Sequence, residues 1–178
     1  FAGFRALGSN GLDLPVLNVF RMFSKMSGQR LATTSSGEVP LDDIMRRGVR
    51  QQPDVGAFAS VDGRKLCVMV WHYHDDDVPG PDADVELTAT GLGVTAGTAT
   101  LAHYRVDGDH SNSYTAWQQL GSPIAPNEKQ YAELEKAGQL AELAAPAPVR
   151  IENGAAKLKF RLPRQGVSLL VLELPAAN

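Results

Sequence analysis

The sequence has a single cysteine, Cys67, and therefore cannot form a disulfide within the chain. Cys67 lies in the apolar run 66–70, where a buried, unreactive thiol is expected rather than a nucleophile. The longest apolar stretches fall far short of the ~20 residues of a membrane-spanning helix. Acidic and basic residues are interspersed, and the formal net charge is −3 at pH 7. No basic face can neutralise a phosphate backbone, so the sequence argues against membrane and nucleic-acid partners.

The beginning of the chain has neither an initiator methionine nor a signal-peptide pattern. Residues 1–5 therefore predict a cut inside a longer protein, with any targeting signal lying upstream. Hydrophobic residues make up 43% of the 178 residues and charged residues 21%, which is typical of a chain that folds around a core. This length suits one domain, or one domain with a fragment of a neighbour.

The clearest helix signal covers residues 14–27. Asp13 is a candidate N-cap, Pro15 suits the first turn, and Gly28 suits a left-handed stop. Large apolar residues cover well over half of the circumference, whereas a helix on one sheet needs a stripe of only a little over 100°. The pattern therefore predicts a helix that is buried on two sides. These apolar residues are Val16, Leu17, Val19, Phe20, Met22, Phe23 and Met26.

From residue 55 onward the pattern is that of short strands. Asp62-Gly63 and Asn153-Gly154 each separate two strand-like segments and predict type I′ hairpin turns. Seven or so strands with turn punctuation predict a mainly β fold, an antiparallel β-sandwich with a few helices. The predicted strands cover 55–61, 64–73, 83–89, 95–106, 149–152, 155–162 and 167–174.

Two further segments are expected to be helical. Residues 41–45 predict a short helical turn. Asn127 and Gln130 match a capping box, and an apolar stripe follows them as far as Gly138. The sequence therefore predicts a helix near 127–138, inserted among the strands.

A histidine and aspartate cluster ends one predicted strand. His72 and His74 would share one strand face, and Asp75 and Asp76 follow directly. These groups could bind a divalent metal, but the spacing fixes no third ligand, so no metal site is predicted. A strand end that enters a solvated acidic loop has the same composition. A loop that faces a sugar would too, and His72, His74, Asp75 and Asp76 are therefore the candidate substrate-proximal residues.

Asp109, His110 and Ser111 are the ingredients of a catalytic triad. Because they are consecutive, successive side chains point away from each other in an extended chain, and no Gly-x-Ser-x-Gly elbow surrounds Ser111. The sequence instead predicts a loop braced by side-chain hydrogen bonds. Tyr114 and Trp117 are expected to pack against it.

Several segments together resemble the C-terminal region of glycoside hydrolase family 39, which contains β-xylosidases and, more distantly, α-L-iduronidase. The resemblance spans nearly the whole chain and is nearest to the bacterial β-xylosidases. The matching segments are 48–50, 53–56, 70–80, 103–107, 110–114, Trp117, 120–123, Pro126, 130–134 and 162–170.

The resemblance implies an (α/β)8 barrel followed by a β-sandwich, with residues 15–20 in the last barrel helix. Residues 1–28 would then be the severed end of the catalytic barrel, and 29–178 the β-sandwich accessory domain. The helix 14–27 would lie between the two, which accounts for its two apolar sides. Candidate residues at the barrel interface are Phe20, Phe23, His110, Asn112 and Trp117.

The family's general acid belongs to an Asn-Glu pair after a barrel strand, and its nucleophile is a second barrel Glu. Asn127-Glu128 opens a helix instead, so the acid role does not transfer, and the nucleophile's segment has no match. No catalytic residue, metal site or cofactor is therefore predicted in this sequence. The resemblance implies a bacterial protein, cytoplasmic or periplasmic, that releases xylose with retention from non-reducing ends of β-1,4-xylo-oligosaccharides.

The implied partners are the catalytic barrel of the same protein and, through it, a xylo-oligosaccharide. Self-association through the 14–27 helix is also expected if that helix loses its second partner. Two rival hypotheses are a free carbohydrate-binding module, and a small enzyme that uses His72, His74 and the neighbouring aspartates. Exposed, planar tryptophan platforms would favour the module, and turnover by the chain alone would favour the small enzyme.

Overall fold

The computed structural model describes residues 6–176, which form a mainly β fold with four helices. The helices are α1 (Pro15–Lys25), α2 (Leu41–Arg47), α3 (Ser113–Gln119) and α4 (Glu128–Ala137). The strands are β1 (Gly8–Ser9), β2 (Leu12–Asp13), β3 (Gln29–Leu31), β4 (Asp54–Asp62), β5 (Lys65–Tyr73), β6 (Ala83–Thr90), β7 (Gly97–Val106), β8 (Ala141–Glu142), β9 (Ala147–Glu152), β10 (Ala155–Leu162) and β11 (Gly166–Glu173).

Strands β3 to β11 form one antiparallel sheet, in the order β3-β4-β5-β11-β7-β9-β10-β6, with β8 pairing beside β9 on β7. The sheet curls so that its two ends face each other across a shared core, which confirms the predicted antiparallel, mainly β architecture. Strands β1 and β2 form a separate small hairpin. No helix within residues 6–176 is long and apolar enough to cross a membrane.

Strand β5 is apolar throughout because both of its faces are buried. Leu66, Val68 and Val70 point into the core enclosed by the curled sheet, where β10 and β11 also contribute side chains. Cys67 and Met69 point to the outer face and pack with Met22 of α1. A strand covered on both faces has no polar alternation, and this explains the uninterrupted run 66–70.

Helix α1 lies on the outer face of the sheet with one side exposed. Met22 is buried there, while Phe20 and Phe23 remain 61% and 48% exposed. Pro15 occupies the first turn as predicted. The predicted Asp13 cap is wrong, because Leu14 is the N-cap residue and the Asp13 carboxylate instead lies 2.8 Å from Arg21.

Gly28 makes the turn from α1 into β3. The helix ends at Lys25 with Met26 as an extended C-cap residue, so the predicted end at residue 27 was too late. Gly28 has the expected left-handed φ of +79°, and a Cβ there would lie 2.0 Å from the Val61 carbonyl oxygen. A side chain at this position would therefore collide with the neighbouring strand β4.

The two hairpin turns differ. Asn153 and Gly154 both have positive φ, 52° and 74°, which confirms the type I′ prediction. The other prediction is wrong, because Asp62 pairs with Lys65 and the two central residues are therefore Gly63 and Arg64. Only the first of these has a positive φ, the pattern of a type II′ turn.

The helices after β7 were predicted in part. In α4 the capping box of Asn127 and Gln130 is present, and Leu134 is fully buried. Helix α3 was missed, because its polar N-cap residue Asn112 was interpreted as part of a braced loop. The predicted turn at 41–45 is the first part of α2.

Candidate functional site

The two histidines of the predicted substrate-proximal cluster are buried and bonded to backbone. The Nδ1 atom of His72 lies 2.9 Å from the Leu162 carbonyl oxygen. In His74, Nδ1 accepts the amide N–H of Asp76 at 3.1 Å, which leaves Nε2 to donate to the Arg50 carbonyl oxygen at 3.1 Å. These contacts hold the end of β5 to the neighbouring loops.

Asp75 joins the same strand end to the segment before β4. Its carboxylate accepts the Val49 amide at 2.9 Å and the Tyr73 hydroxyl at 3.1 Å, and it lies 3.5 Å from Arg50. Asp76 is exposed. No group of three or more potential metal ligands occurs among residues 6–176. A role of this loop near a substrate stays a prediction, in which Asp76 has the most accessible side chain of the four candidates.

A second polar cluster lies where the core meets the loop after β7. Arg105 is buried, and its guanidinium donates to Ser168 Oγ at 2.7 Å and to the Arg161 carbonyl oxygen at 3.0 Å. It also lies 3.3 Å from the buried carboxylate of Asp107. This charge is therefore satisfied on several sides inside the protein, as buried ions must be.

Asp107 organises the loop that follows. Its Oδ1 accepts the amides of Asp109 and His110 at 2.8 and 2.9 Å, and the His110 ring at 2.8 Å. Burial raises the pKa of Asp107, but hydrogen bonds from the His110 ring and the two amides outweigh it, so the pKa lies below its ordinary value. Ionised Asp107 thus fixes the 107–110 turn, and the consecutive triad ingredients are parts of a structural loop.

Asn18 connects α1 to this loop. It is fully buried, and its Nδ2 donates to the carbonyl oxygens of Ser111 at 2.9 Å and Gly138 at 2.8 Å. Its Oδ1 accepts from Arg21 at 3.0 Å. Ser111 in turn donates to the Arg105 carbonyl oxygen at 2.6 Å. Helix α1, the loop after β7 and the end of α4 are therefore held together by one amide side chain.

His103 shares Ser168 with Arg105. Its Nε2 lies 2.9 Å from Ser168 Oγ, and its ring packs edge-on against Phe160. Burial and the nearby Arg105 lower the pKa of His103 from 6.5 to about 4. The ring is therefore neutral near pH 7 and accepts from a serine hydroxyl that accepts from Arg105. Because Ser168 is fully buried, this histidine and serine pair is closed to a substrate.

We expect His103 to make stability depend on pH between about 6.5 and about 4. In this range the unfolded chain binds a proton that the folded chain does not, so acid favours unfolding. His103→Gln should remove about 2 kcal/mol of the loss in unfolding free energy over this range. Urea unfolding of both proteins at several pH values checks this, and parallel stability curves would contradict it.

The predicted barrel-interface residues are divided between two parts of the surface. Phe20 and Phe23 lie on the exposed side of α1. His110 is bound to Asp107, and Asn112 caps α3 by accepting the Thr115 amide at 3.1 Å. Trp117 lies in α3 and donates to the Pro123 carbonyl oxygen at 3.0 Å. Their contact with a barrel stays a prediction.

Neither tryptophan is a planar, exposed platform. The Trp71 ring donates to Asp54 at 2.6 Å and covers Gly56, where a Cβ would lie 2.3 Å from the ring. Trp117 packs against Tyr114 with ring centroids 5.7 Å apart. Both are only partly exposed. The structure therefore offers no specific support for a carbohydrate-binding surface on these two rings.

The exposed side of α1 leads to a prediction for the 178-residue chain by itself. Phe20 and Phe23 are large and half or more exposed on one helix face, and such a patch favours association. The double variant Phe20→Ser with Phe23→Ser should be more monomeric in light scattering at the same concentration. The control is Met45→Ser, which changes an equally apolar, exposed residue on α2. A chain that is already monomeric at high concentration would contradict the prediction.

Sequence reasoning missed Asn18, Arg105 and Ser168. The available signal was a polar residue at a position that the surrounding pattern marks as buried, such as Ser168 within the apolar strand 167–172. Their partners could not be read from spacing, because Asn18 meets a carbonyl 93 residues away and Arg105 meets Ser168 at a separation of 63.

Comparison with protein families gives a match to glycosyl hydrolases family 39 over residues 1–154. A curated β-xylosidase from Caldicellulosiruptor saccharolyticus is 24% identical over 138 residues, which cover 78% of this chain and 25% of the relative. The chain thus spans about a quarter of that relative's length.

Solved structures with the same fold include a GH39 enzyme from Xanthomonas axonopodis pv. citri, with a TM-score of 0.72 and 18% identity over 93% of this chain and 31% of that one. A monomeric β-xylosidase from Caulobacter crescentus CB15 has a TM-score of 0.70 and 19% identity. The match covers 98% of this chain and 33% of that one. At these identities the structural likeness establishes the fold alone.

Proposed function

This chain belongs to glycosyl hydrolases family 39, and from that premise we propose that it is the C-terminal accessory part of a retaining β-xylosidase. The complete protein would release xylose from the non-reducing ends of β-1,4-xylo-oligosaccharides, using two glutamates on a barrel outside these residues. The observation that carries the proposal is a family match over residues 1–154 in a chain that spans only 25% of a β-xylosidase relative.

The polar contacts support a structural task for this segment. The candidate histidines bond to backbone, and Arg105, Asp107 and Ser168 are buried. Glu128, the only glutamate that follows an asparagine apart from any strand, is in the first turn of α4 beside the capping box. A pair of carboxyl groups about 5 to 5.5 Å apart across an open cleft, as retention needs, is not among the contacts that build this region.

The exposed side of α1 supports the barrel as the partner. Its other side is fixed to the sheet through Met22 and Asn18, so Phe20 and Phe23 are presented on a rigid helix. Rigid, exposed aromatic residues suit a permanent intramolecular interface. We place the contact with the barrel on this face of α1.

We expect the 178-residue chain to have no β-xylosidase activity and the complete protein to have it. The test is hydrolysis of a chromogenic aryl β-xyloside by both purified proteins, with free enzyme lacking one barrel glutamate as the control. Activity of the chain alone that disappears on a change within residues 6–176 would overturn the proposal. Inactivity of the complete protein on xylosides, with activity on another glycoside, would retain the family and change the substrate.

A further inference from the structure

Strand β6 has an unpaired edge. Its eight residues pair one to one with β10, and within residues 6–176 no backbone hydrogen bond reaches its other side. Natural proteins usually protect such edges with proline, a bulge or a very short strand. Strand β6 contains no proline, and its pairing has no bulge. It is therefore suited to accept another strand.

The hairpin before β10 shows which backbone groups are open. Around the two-residue turn Asn153-Gly154, Glu152 and Ala155 form the closing pair, which is hydrogen-bonded in such hairpins. Backbone groups of Ala156 and every second residue after it therefore point to β6. By the register of β6 with β10, the alternate residues of β6 point their backbone N–H and C=O groups to the open edge: Asp84, Glu86, Thr88 and Thr90.

A cleft of ≈680 Å³ runs beside this edge. Its floor is the inner face of β4 and β5, and the segment 31–37 forms the opposite wall. Val85 and Leu87 face the core from β6 and are only partly buried. The cleft therefore combines an apolar floor with one open line of hydrogen-bonding groups.

The opposite wall is already satisfied. Segment 31–37 departs from β4 after Leu31, and side chains replace the missing backbone partners. The Thr33 hydroxyl donates to the Ala57 carbonyl oxygen at 2.9 Å, and the Ser35 hydroxyl donates to that of Val55. Only the β6 side offers a full strand edge, so the cleft has the features of a site for one strand.

We propose that one extended strand from the polypeptide outside these 178 residues occupies this cleft and pairs with β6. Its side chains would alternate, with apolar residues on the floor and polar residues outward. The proposal rests on the proposed function, because it takes the chain to be part of a longer protein. Relatives provide the length for such a segment, since this chain covers only 25%, 31% and 33% of the three compared.

Charge disfavours a second copy of the chain as the occupant. Asp84 and Glu86 lie on the outer face of β6 at its edge. Two antiparallel β6 strands, paired edge to edge about a two-fold axis, would bring four of these carboxylates onto one face. Like charges on neighbouring strands are destabilising. A strand with neutral or basic outward residues avoids this repulsion.

Amide hydrogen exchange of the complete protein, resolved to single residues by mass spectrometry, tests the proposal. Amides of Glu86 and Thr88 should exchange at least about 100-fold more slowly than unprotected amides, because they bond to the added strand. Val85 and Leu87 are the matched internal controls, since their amides bond to β10 in either case. Fast exchange at Glu86 and Thr88, with slow exchange at Val85 and Leu87, would show a free edge.

A photo-crosslinking residue at Thr88 identifies the occupant. Irradiation of the complete protein should give an intramolecular crosslink from residue 88 to a peptide outside these 178 residues. A crosslinked dimer through β6, or no crosslink, overturns the assignment. Xyloside hydrolysis measured on the same preparation separates the two proposals. An active enzyme with a free β6 edge contradicts only the added strand, and an inactive one with a protected edge contradicts only the β-xylosidase activity.

Discussion

Arg105→Met should lower the free energy of unfolding by about 3–5 kcal/mol, because it leaves the buried Asp107 carboxylate without its cationic partner. It also removes the donors to Ser168 and to the Arg161 carbonyl oxygen. Methionine fills much of the same space, so the loss reports charge and hydrogen bonding rather than a cavity. Urea unfolding, followed by tryptophan fluorescence at a concentration where the chain is monomeric, measures it.

The matched control for this prediction is Arg150→Met. Arg150 lies 3.6 Å from Glu152, and both side chains are largely exposed. Removing an exposed pair of this kind should change stability by less than about 1 kcal/mol. The double variant Arg105→Met with Asp107→Asn should recover part of the loss, because the uncompensated charge is gone. Equal losses for Arg105→Met and Arg150→Met would show that burial of the pair has no energetic consequence.

Asn18→Leu should cost about 2–4 kcal/mol, since two buried carbonyl oxygens lose their donor while the shape of the side chain is largely retained. These are the carbonyls of Ser111 and Gly138. Hydrogen exchange should rise together in the loop after β7 and at the end of α4. Ser24→Ala, on the exposed side of the same helix, is the control and should change stability by less than about 0.5 kcal/mol. A loss confined to α1 would mean that Asn18 does not connect the three elements.

Local signals were sufficient for much of the fold. The turn at Asn153-Gly154, the capping box of α4 and the alternation in β6 each depend on residues close in sequence, and each is present in the structure. The turn after β4 was misassigned because Asp62 continues the strand by pairing with Lys65. A register shift of this size depends on the whole hairpin and not on the dipeptide.

The polar clusters could not be predicted in the same way. His72 and His74 were recognised as unusual, but their partners are carbonyls of Leu162 and Arg50, which approach only after the sheet has formed. Asn18 and Ser168 gave no chemical motif, since a single amide or hydroxyl has no characteristic spacing. Such residues become visible only when burial shows that their polar atoms need partners.

The position of β11 affects how this domain can assemble. It is the last strand along the chain, yet it lies between β5 and β7, with eight residue pairs to the first and seven to the second. The β4–β5 hairpin and the strands around β7 therefore remain two separate halves, each with an apolar inner edge, until residues 166–173 are available. Closing loops of this length is slow, and incomplete chains that emerge from the ribosome should depend on chaperones until their final strand joins the halves.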